Sequence, residues 1–285
     1  MPEIVGYIFV GIFVLLCIIP FLIVISVSFS SEDSILKFGY SIVPKQFSLE
    51  AYKMLFKNPG TILQSYKVTL FITVVGTVLS IFIGSMYAYA ISRRDFKLSG
   101  ALSFFIYFTM LFSGGLVPTY MLVSKYLHLS NTVWAIILPL CIGQWNIFLL
   151  KSFFKSVPFE IIEAAKIDGS NEYSTFFRVV IPIAKSGIAT VTVFIVLTYW
   201  NDWYNALLYF TDPKLYTLQY LLQCIMQRLD FLQMASKSGV IITENAPSES
   251  LRMATCVVAC GPMIFVFLLF QRYFVKGITV GAVKG

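Results

Sequence analysis

Charged residues cut this sequence into apolar stretches of one recurring length. A helix rises about 1.5 Å per residue, so roughly 20 apolar residues are needed to cross a bilayer's hydrocarbon core. Ile4–Ser28 carries no charge and has Pro20 as a kink point. Val68–Ile91 lies between Lys67 and Arg93, Leu98–Ser124 between Lys97 and Lys125, and Asn131–Leu150 ends at Lys151. Ser186–Phe210 is interrupted only by Asp202, and Met253–Gln271 is flanked by Arg252 and Arg272. Six crossings follow. The expected fold is all-α, a polytopic membrane helix bundle forming a single transmembrane domain over residues 1–285.

Composition agrees. Apolar types make up 58% of the 285 residues and charged types 12%, about half the charge a soluble domain carries. Mean hydropathy is +0.82. Soluble globular, disordered, collagenous and disulfide-framework classes are thereby excluded. The net charge of +7 would suggest nucleic acid in a soluble chain. Here the basic residues flank apolar runs, so topology and anionic headgroups account for them and no nucleic-acid partner is expected. Ile4–Ser28 exceeds the roughly 7–15 residues of a signal-peptide core and lacks a basic leader, so it reads as an uncleaved first helix.

Lys and Arg also set the orientation. Arg93, Arg94, Lys97, Lys151, Lys155, Lys166, Arg178, Lys185, Arg272, Lys276 and Lys284 crowd the even-numbered connections and the C-terminus. Those of the opposite side, among them Lys37, Lys45, Lys53, Lys57, Lys125, Lys214 and Arg228, are spread over longer segments. Both termini and the 151–185 loop are therefore expected in the cytoplasm.

Neither metal nor catalytic chemistry is legible. Cys256 and Cys260 share a helix face at i, i+4, but no second pair and no nearby His completes a zinc site; Cys17 and Cys141 also lie in apolar runs. The single histidine, His128, falls in the Lys125–Asn131 loop without a motif-spaced partner. No catalytic residue and no metal ligand is assigned.

Three extramembrane segments stand out. Phe29–Ser65 should lie outside, with turns at Gly39, Pro44 and Asn58-Pro59-Gly60. Thr211–Ser250 should also be outside, with a helix over Leu215–Leu229. Lys151–Lys185 predicts a cytoplasmic helix–turn–helix at about 156–182. Ser156 is its candidate N-cap, Pro158 and Glu160 fall in the first turn, Asp168-Gly169 is the stop and Ser170 is a fresh N-cap. Ile161, Ile162 and Ile167 give the hairpin an apolar side. By physics alone it is either a connector resting on the bilayer or a docking element, for which Ala164 and Ala165 beside a glycine turn permit close approach.

These residues match a known signature. Glu163-Ala164-Ala165, three residues, Gly169, nine residues and Val179-Val180-Ile181-Pro182 resemble the EAA motif of binding-protein-dependent ABC importer permeases. Val179 and Ile181 are conservative departures, and Asp168 fits the sugar-importer version. The Tyr199-Trp200-Asn201-Asp202-Trp203 stretch and the ending Gln271–Gly285 resemble the second permease of maltose-type oligosaccharide importers. Firmicute permeases for oligosaccharides from complex polysaccharides look most similar.

The resemblance implies that Glu163, Ala164, Ala165, Asp168, Gly169 and Pro182 belong to a coupling hairpin docked on a cytoplasmic ATPase. It implies a heterodimer with a second homologous permease, two ATPase subunits and an extracytoplasmic solute-binding protein, all acting in membrane lipid. No Gly is followed by Lys anywhere in the chain, so the phosphate loop of an ATPase is missing. The chain is thus expected to be no enzyme and to hold no cofactor, with ATP and Mg on the partner ATPase.

Polar residues within spans are costly and mark substrate paths by default. Gln144 and Asn146 in the fourth span, and Asn201, Asp202 and Asn205 in the fifth, are the candidates. Trp145, Trp200 and Trp203 are open to two readings, stacking on sugar rings or gathering at the membrane interface. Two rival functions remain at this stage. An ion-coupled secondary transporter would need more intramembrane charge and an internal repeat, and a membrane assembly protein would leave the EAA spacing unexplained.

Overall fold

The structure, a computed structural model, describes residues 2–237 and 248–282. Among these residues the regular elements are helices, with one isolated antiparallel bridge between Ser30 and Phe47. The order begins with α1 (Pro2–Ser28), α2 (Glu32–Phe38), α3 (Glu50–Leu55), α4 (Pro59–Ser92), α5 (Ser99–Leu111) and α6 (Leu116–Met121). It continues with α7 (Trp134–Cys141), α8 (Gln144–Lys155), α9 (Phe159–Ile167), α10 (Glu172–Thr175) and α11 (Ile181–Ile183). The last are α12 (Lys185–Trp200), α13 (Tyr204–Tyr209), α14 (Leu218–Lys237) and α15 (Ser248–Ala282). Residues 238–247 of the expected outer segment, and 283–285 of the C-terminal ending, lie outside the described residues.

Among the described residues three helices are long and apolar enough to cross a membrane unbroken, at Gly6–Ser28, Pro59–Ser92 and Glu249–Leu268. Counting each of three bent pairs as one span brings the total to six: Ser99–Leu111 with Leu116–Tyr126, Trp134–Cys141 with Gln144–Lys155, and Glu172–Ile183 with Lys185–Trp200. The six-span expectation is met, but not as six straight rods.

The third span, expected over 98–124, turns through 109° at Phe112-Ser113-Gly114-Gly115. Gly115 takes φ +87°, a conformation nearly closed to other residues. In the fourth span Pro139 lies inside α7 and withholds one helical donor; the chain then bends by 47° between Cys141 and Gln144. Asn58-Pro59-Gly60, expected as a turn, instead opens α4 with Pro59 as its first residue, a position that needs no N–H. The helix expected at Leu215–Leu229 begins at Leu218, after a short 3₁₀ turn over Pro213–Leu215.

The described chain forms two compact units, Met1–Leu63 with Leu221–Ile264, and Gln64–Tyr220 with Phe265–Gly285. In the first, Phe29 stacks on Phe47 and Tyr52 with ring centroids 5.7 and 4.9 Å away. The Glu32 carboxylate accepts hydrogen bonds from the backbone N–H groups of Glu249 and Ser250 at 3.0 and 3.1 Å, and from the Ser250 hydroxyl at 3.0 Å. An acidic group on the exposed donors of a helix start is favourable both as a cap and against the helix dipole.

In the second unit α4, α7 and α12 meet at Tyr199, which is 1% exposed. Its hydroxyl donates to the Ile137 carbonyl at 3.0 Å. Having spent its proton there, it accepts from the Ser80 hydroxyl at 3.1 Å. Gly76 leaves room for the ring: a Cβ there would sit 2.5 Å from Tyr199 Cζ. Gly187 does the same beneath Phe153, where a Cβ would come within 2.2 Å of Cγ. Gly76→Ala should therefore cost about 1–3 kcal/mol by overpacking, seen as a lower melting temperature of the detergent-purified protein. Gly100→Ala, where a Cβ meets nothing within 4 Å, is the control and should leave the midpoint unchanged.

Candidate functional site

The hairpin grows from the end of α8. Ser156 was expected to cap the next helix, but its hydroxyl bonds back to the Phe153 carbonyl at 2.7 Å and closes α8 instead. The N-cap position of α9 falls to Pro158, with ψ 132°, because a residue in that extended conformation can hand its carbonyl to the first helical turn. Glu160 then sits in the first turn, where the helix dipole favours an acid. Ile162 and Val157 are buried and anchor the arm, whereas Ile167 is 86% exposed.

The predicted stop at Asp168-Gly169 is present, and its hydrogen bonds explain it. Ser170 N–H donates to the Ala165 carbonyl at 2.9 Å and Gly169 N–H to the Lys166 carbonyl at 3.0 Å, with Gly169 at φ +83°. These are the paired bonds of a Schellman motif, which satisfies the last carbonyls only when the closing residue tolerates the left-handed region. The fresh N-cap is Asn171 rather than Ser170: Asn171 Oδ1 accepts from Ser174 N–H at 2.8 Å. Ser170 Oγ accepts from the Thr175 hydroxyl instead, at 3.2 Å.

Beyond α10 the chain makes a π-helical turn over Phe176–Val180. Pro182 has no N–H to offer the carbonyl four residues back, and at Ala184 the chain swings through 83° into α12. Glu163, Ala164, Asp168 and Gly169 are all exposed, and Ala165 partly so. Acid, two alanines, a bare isoleucine and a glycine turn thus stand together at the tip of the hairpin.

A charge cluster that the sequence did not reveal holds this hairpin. The Arg93 side chain, 5% exposed, donates to Asp95 through Nε at 2.8 Å and Nη2 at 2.6 Å. Its Nη1 donates to the Tyr89 hydroxyl at 3.0 Å, and Nη2 lies 3.5 Å from Glu172. Lys166, on the last turn of α9, reaches both Asp95 and Glu172 at 2.8 Å. Tyr89 donates to Glu172 at 3.0 Å. Positions 93, 95, 166 and 172 share no helical spacing, and Arg93-Arg94 read only as charge flanking a span, so no local pattern announced the group.

The sequence-derived path residues fall at helix breaks. Gln144, Trp145 and Asn146 form the first turn of α8, just past the break in the fourth span, and Trp145 is 61% exposed. Asn201 and Asp202 follow the end of α12. Asp202 Oδ1 accepts from the Asn205 side chain at 2.9 Å and the Asn205 N–H at 3.4 Å, capping α13. Asp202 Oδ2 is buried without a hydrogen-bond partner. Trp200 is 2% exposed, whereas Trp203 is 38% exposed.

His128 is a turn residue at φ +51°. Its loop is fixed by Asn131, whose Oδ1 accepts from the N–H groups of Thr211 and Asp212 at 2.7 and 3.1 Å. Among the described residues no group of His, Cys, Asp and Glu could hold a metal ion.

The cluster predicts a pH window. Hydrogen bonding from Arg93, with help from Lys166, holds the Asp95 carboxyl well below the usual carboxylate range. Asp95 and then Glu172 raise the Lys166 ammonium. A depressed acid stabilises the fold above its unfolded value, about 4, and that contribution is lost as pH falls; a raised base stabilises below its unfolded value, about 10, and is lost as pH rises. Amide exchange of residues 159–172, corrected for intrinsic rate, should therefore be slowest between those limits and speed up below about pH 4. In Asp95→Asn the acid limb should flatten.

Residues 76–280 match the family described as binding-protein-dependent transport system inner membrane component. The chain is 39% identical over 284 residues to the polygalacturonan/rhamnogalacturonan transport system permease protein YtcP of Bacillus subtilis (strain 168), covering 98% of this chain and 96% of that one. It is 27% identical over 280 residues to the trehalose/maltose transport system permease protein MalG of Thermococcus litoralis (strain ATCC 51850 / DSM 5473 / JCM 8560 / NS-C), covering 95% and 93%. Among solved structures, a chain of a bacterial ABC transporter involved in the import of the acidic polysaccharide alginate aligns with a TM-score of 0.81 and 27% identity, over 95% of this chain and 96% of that chain. With six apolar crossings and an EAA hairpin already in place, the match over most of its length settles the point: this chain belongs to the inner membrane components of binding-protein-dependent transport systems, the permease subunits of ABC importers.

Proposed function

We propose that this permease imports an oligosaccharide released from an acidic polysaccharide, and that its α9 hairpin is where a cytoplasmic ATPase engages it. The observation that carries the coupling role is the hairpin tip. Short side chains at Ala164 and Ala165, with Gly169 at the turn, allow a groove to close around the backbone, and the exposed Glu163 offers a carboxylate to a basic residue there. Asp168 completes the cap and Pro182 sets the departure toward the membrane.

ATP and Mg act on the partner ATPase, two copies of which close when ATP binds. A second, homologous permease completes the path, and a solute-binding protein delivers sugar to the outer face. The basic cytoplasmic connections support termini on the inner side. The substrate class rests on the relatives, whose names specify polygalacturonan, rhamnogalacturonan and alginate. Gln144, Asn146, Asn201, Asp202, Asn205, Trp145 and Trp203 are the proposed lining; Trp200, being buried, supports the wall rather than stacking on a sugar. Polar side chains next to broken helices fit such a path, since irregular backbone inside a membrane needs protein or water around it.

The test is a pull-down of tagged chain from its native membrane in mild detergent, with co-purifying proteins identified by mass spectrometry. Wild type should bring an ATPase and a second six-span permease. Glu163→Lys puts a like charge against the groove, a change worth about 2–5 kcal/mol when the pair is buried, and should lose the ATPase while keeping the second permease. Gly169→Pro, which forbids φ +83°, should do the same. Wild type coming down alone, beside a control importer that stays intact, would sink the docking role.

A further inference from the structure

We infer that Arg93, Asp95, Lys166 and Glu172 form a positioning clamp that makes the hairpin and the cytoplasmic end of α4 one mechanical body, so that a push on the hairpin moves the second span directly. The inference rests on the reading that the hairpin docks on the ATPase, and deepens it by naming the route by which the push enters the membrane.

A guanidinium withdrawn from water must spend its donors on acceptors, and Arg93 is 5% exposed. It engages Asp95 with two parallel hydrogen bonds, the geometry that matches a planar fork to a carboxylate. Its remaining partners lie on three further pieces of chain: Tyr89 on α4, Glu172 at the start of α10, and the Phe159 ring at the start of α9, 5.8 Å from the guanidinium carbon. Lys166 closes the ring from the far end of α9 by bonding both carboxylates.

Both ends of α9 and the start of α10 are therefore tied to the last turn of α4 and the residues that follow it. Isolated surface ion pairs are weak, but this is a closed network around a buried cation. Loss of one member leaves the others incompletely paired, so the network holds or fails as a unit. Glu163, Ala164 and Gly169 take no part in it. α9 thus carries tip residues, Glu163 and Ala164, and through Lys166 a separate attachment to the clamp, whose other members lie after α4 and on α10, which is the arrangement a lever requires.

The clamp can be tested without knowing the sugar. The complete importer is assembled in nanodiscs from a chain whose five cysteines are replaced by serine, with spin labels at Glu160→Cys on α9 and Val78→Cys on the exposed side of α4. Inter-label distance distributions are recorded without nucleotide and after trapping with ATP and vanadate. With the clamp intact the distribution should be narrow and should not shift on trapping, because both labels ride on one body.

Lys166→Met and Asp95→Asn should each keep the ATPase bound yet broaden the distribution severalfold and let it shift on trapping. Lys166→Arg, which preserves the charge, should restore the narrow form. The double variant should be no worse than Asp95→Asn alone, as expected for members of one network. A distribution as narrow in Lys166→Met and Asp95→Asn as in wild type would overturn the clamp. Loss of the ATPase from Lys166→Met, not restored by arginine, would overturn it too, making Lys166 a docking residue. If instead Glu163→Lys leaves the ATPase bound, the docking reading fails while the label distances still report on the clamp.

Discussion

Hydrocarbon gives a peptide group nothing to bond, and each unpaired N–H or C=O left in it costs several kcal/mol. The apolar runs of this chain must therefore coil into helices, and every departure from a straight helix needs its own compensation. The bent spans show how that is met. In the fourth span the Tyr199 hydroxyl, from α12, reaches the Ile137 carbonyl just ahead of the break. In the third, the Ser113 hydroxyl accepts from Gly115 N–H at 3.2 Å, and the Thr119 hydroxyl donates to the Gly115 carbonyl at 2.8 Å. At the end of the fifth, Asp202 caps the short helix that follows. Side-chain hydroxyls and a carboxylate add hydrogen bonds to the backbone at these breaks.

The same constraint separates rigid from adaptable parts. Where α4 meets α12, glycine and a buried tyrosine lock together at a distance no larger side chain would allow. The Phe112–Gly115 break is exposed over its whole length in the single chain, as is α6 almost throughout. Lipid cannot solvate such backbone, so this side of the subunit needs protein or a watery path against it. A permease that works as half of a pair meets that demand through its partner.

At the hairpin the governing interaction changes from backbone pairing to charge. The turn of the hairpin is closed by its own Schellman bonds, and the arms on either side of it are tied to Arg93 and Asp95 by the charge network. The first is local and depends on one glycine. The second joins residues about 70 to 80 positions apart in sequence, so it exists only once the second span and the hairpin are both in place.

How much could be read in advance follows that local and non-local division. The six apolar runs fixed the number of crossings, because length and hydrophobicity are properties of a segment by itself. Asp168-Gly169 fixed the hairpin turn, because a left-handed closing residue is a one-position requirement. The caps at Ser156 and Ser170 were misplaced by one or two residues, since several polar side chains compete for the same N–H groups and only the exact backbone path selects among them. The bends at Gly114-Gly115 and near Pro139 were written in residues known to loosen helices, but whether a span bends there depends on what packs beside it. The Arg93–Asp95–Lys166–Glu172 network and the Gly76–Tyr199 fit left no trace in the linear order. Sequence determined which segments enter the membrane and where the hairpin turns, because hydration and backbone conformation act residue by residue; tertiary structure alone decided which distant charges and surfaces meet, because such pairings come into being only when separate helices are packed against one another.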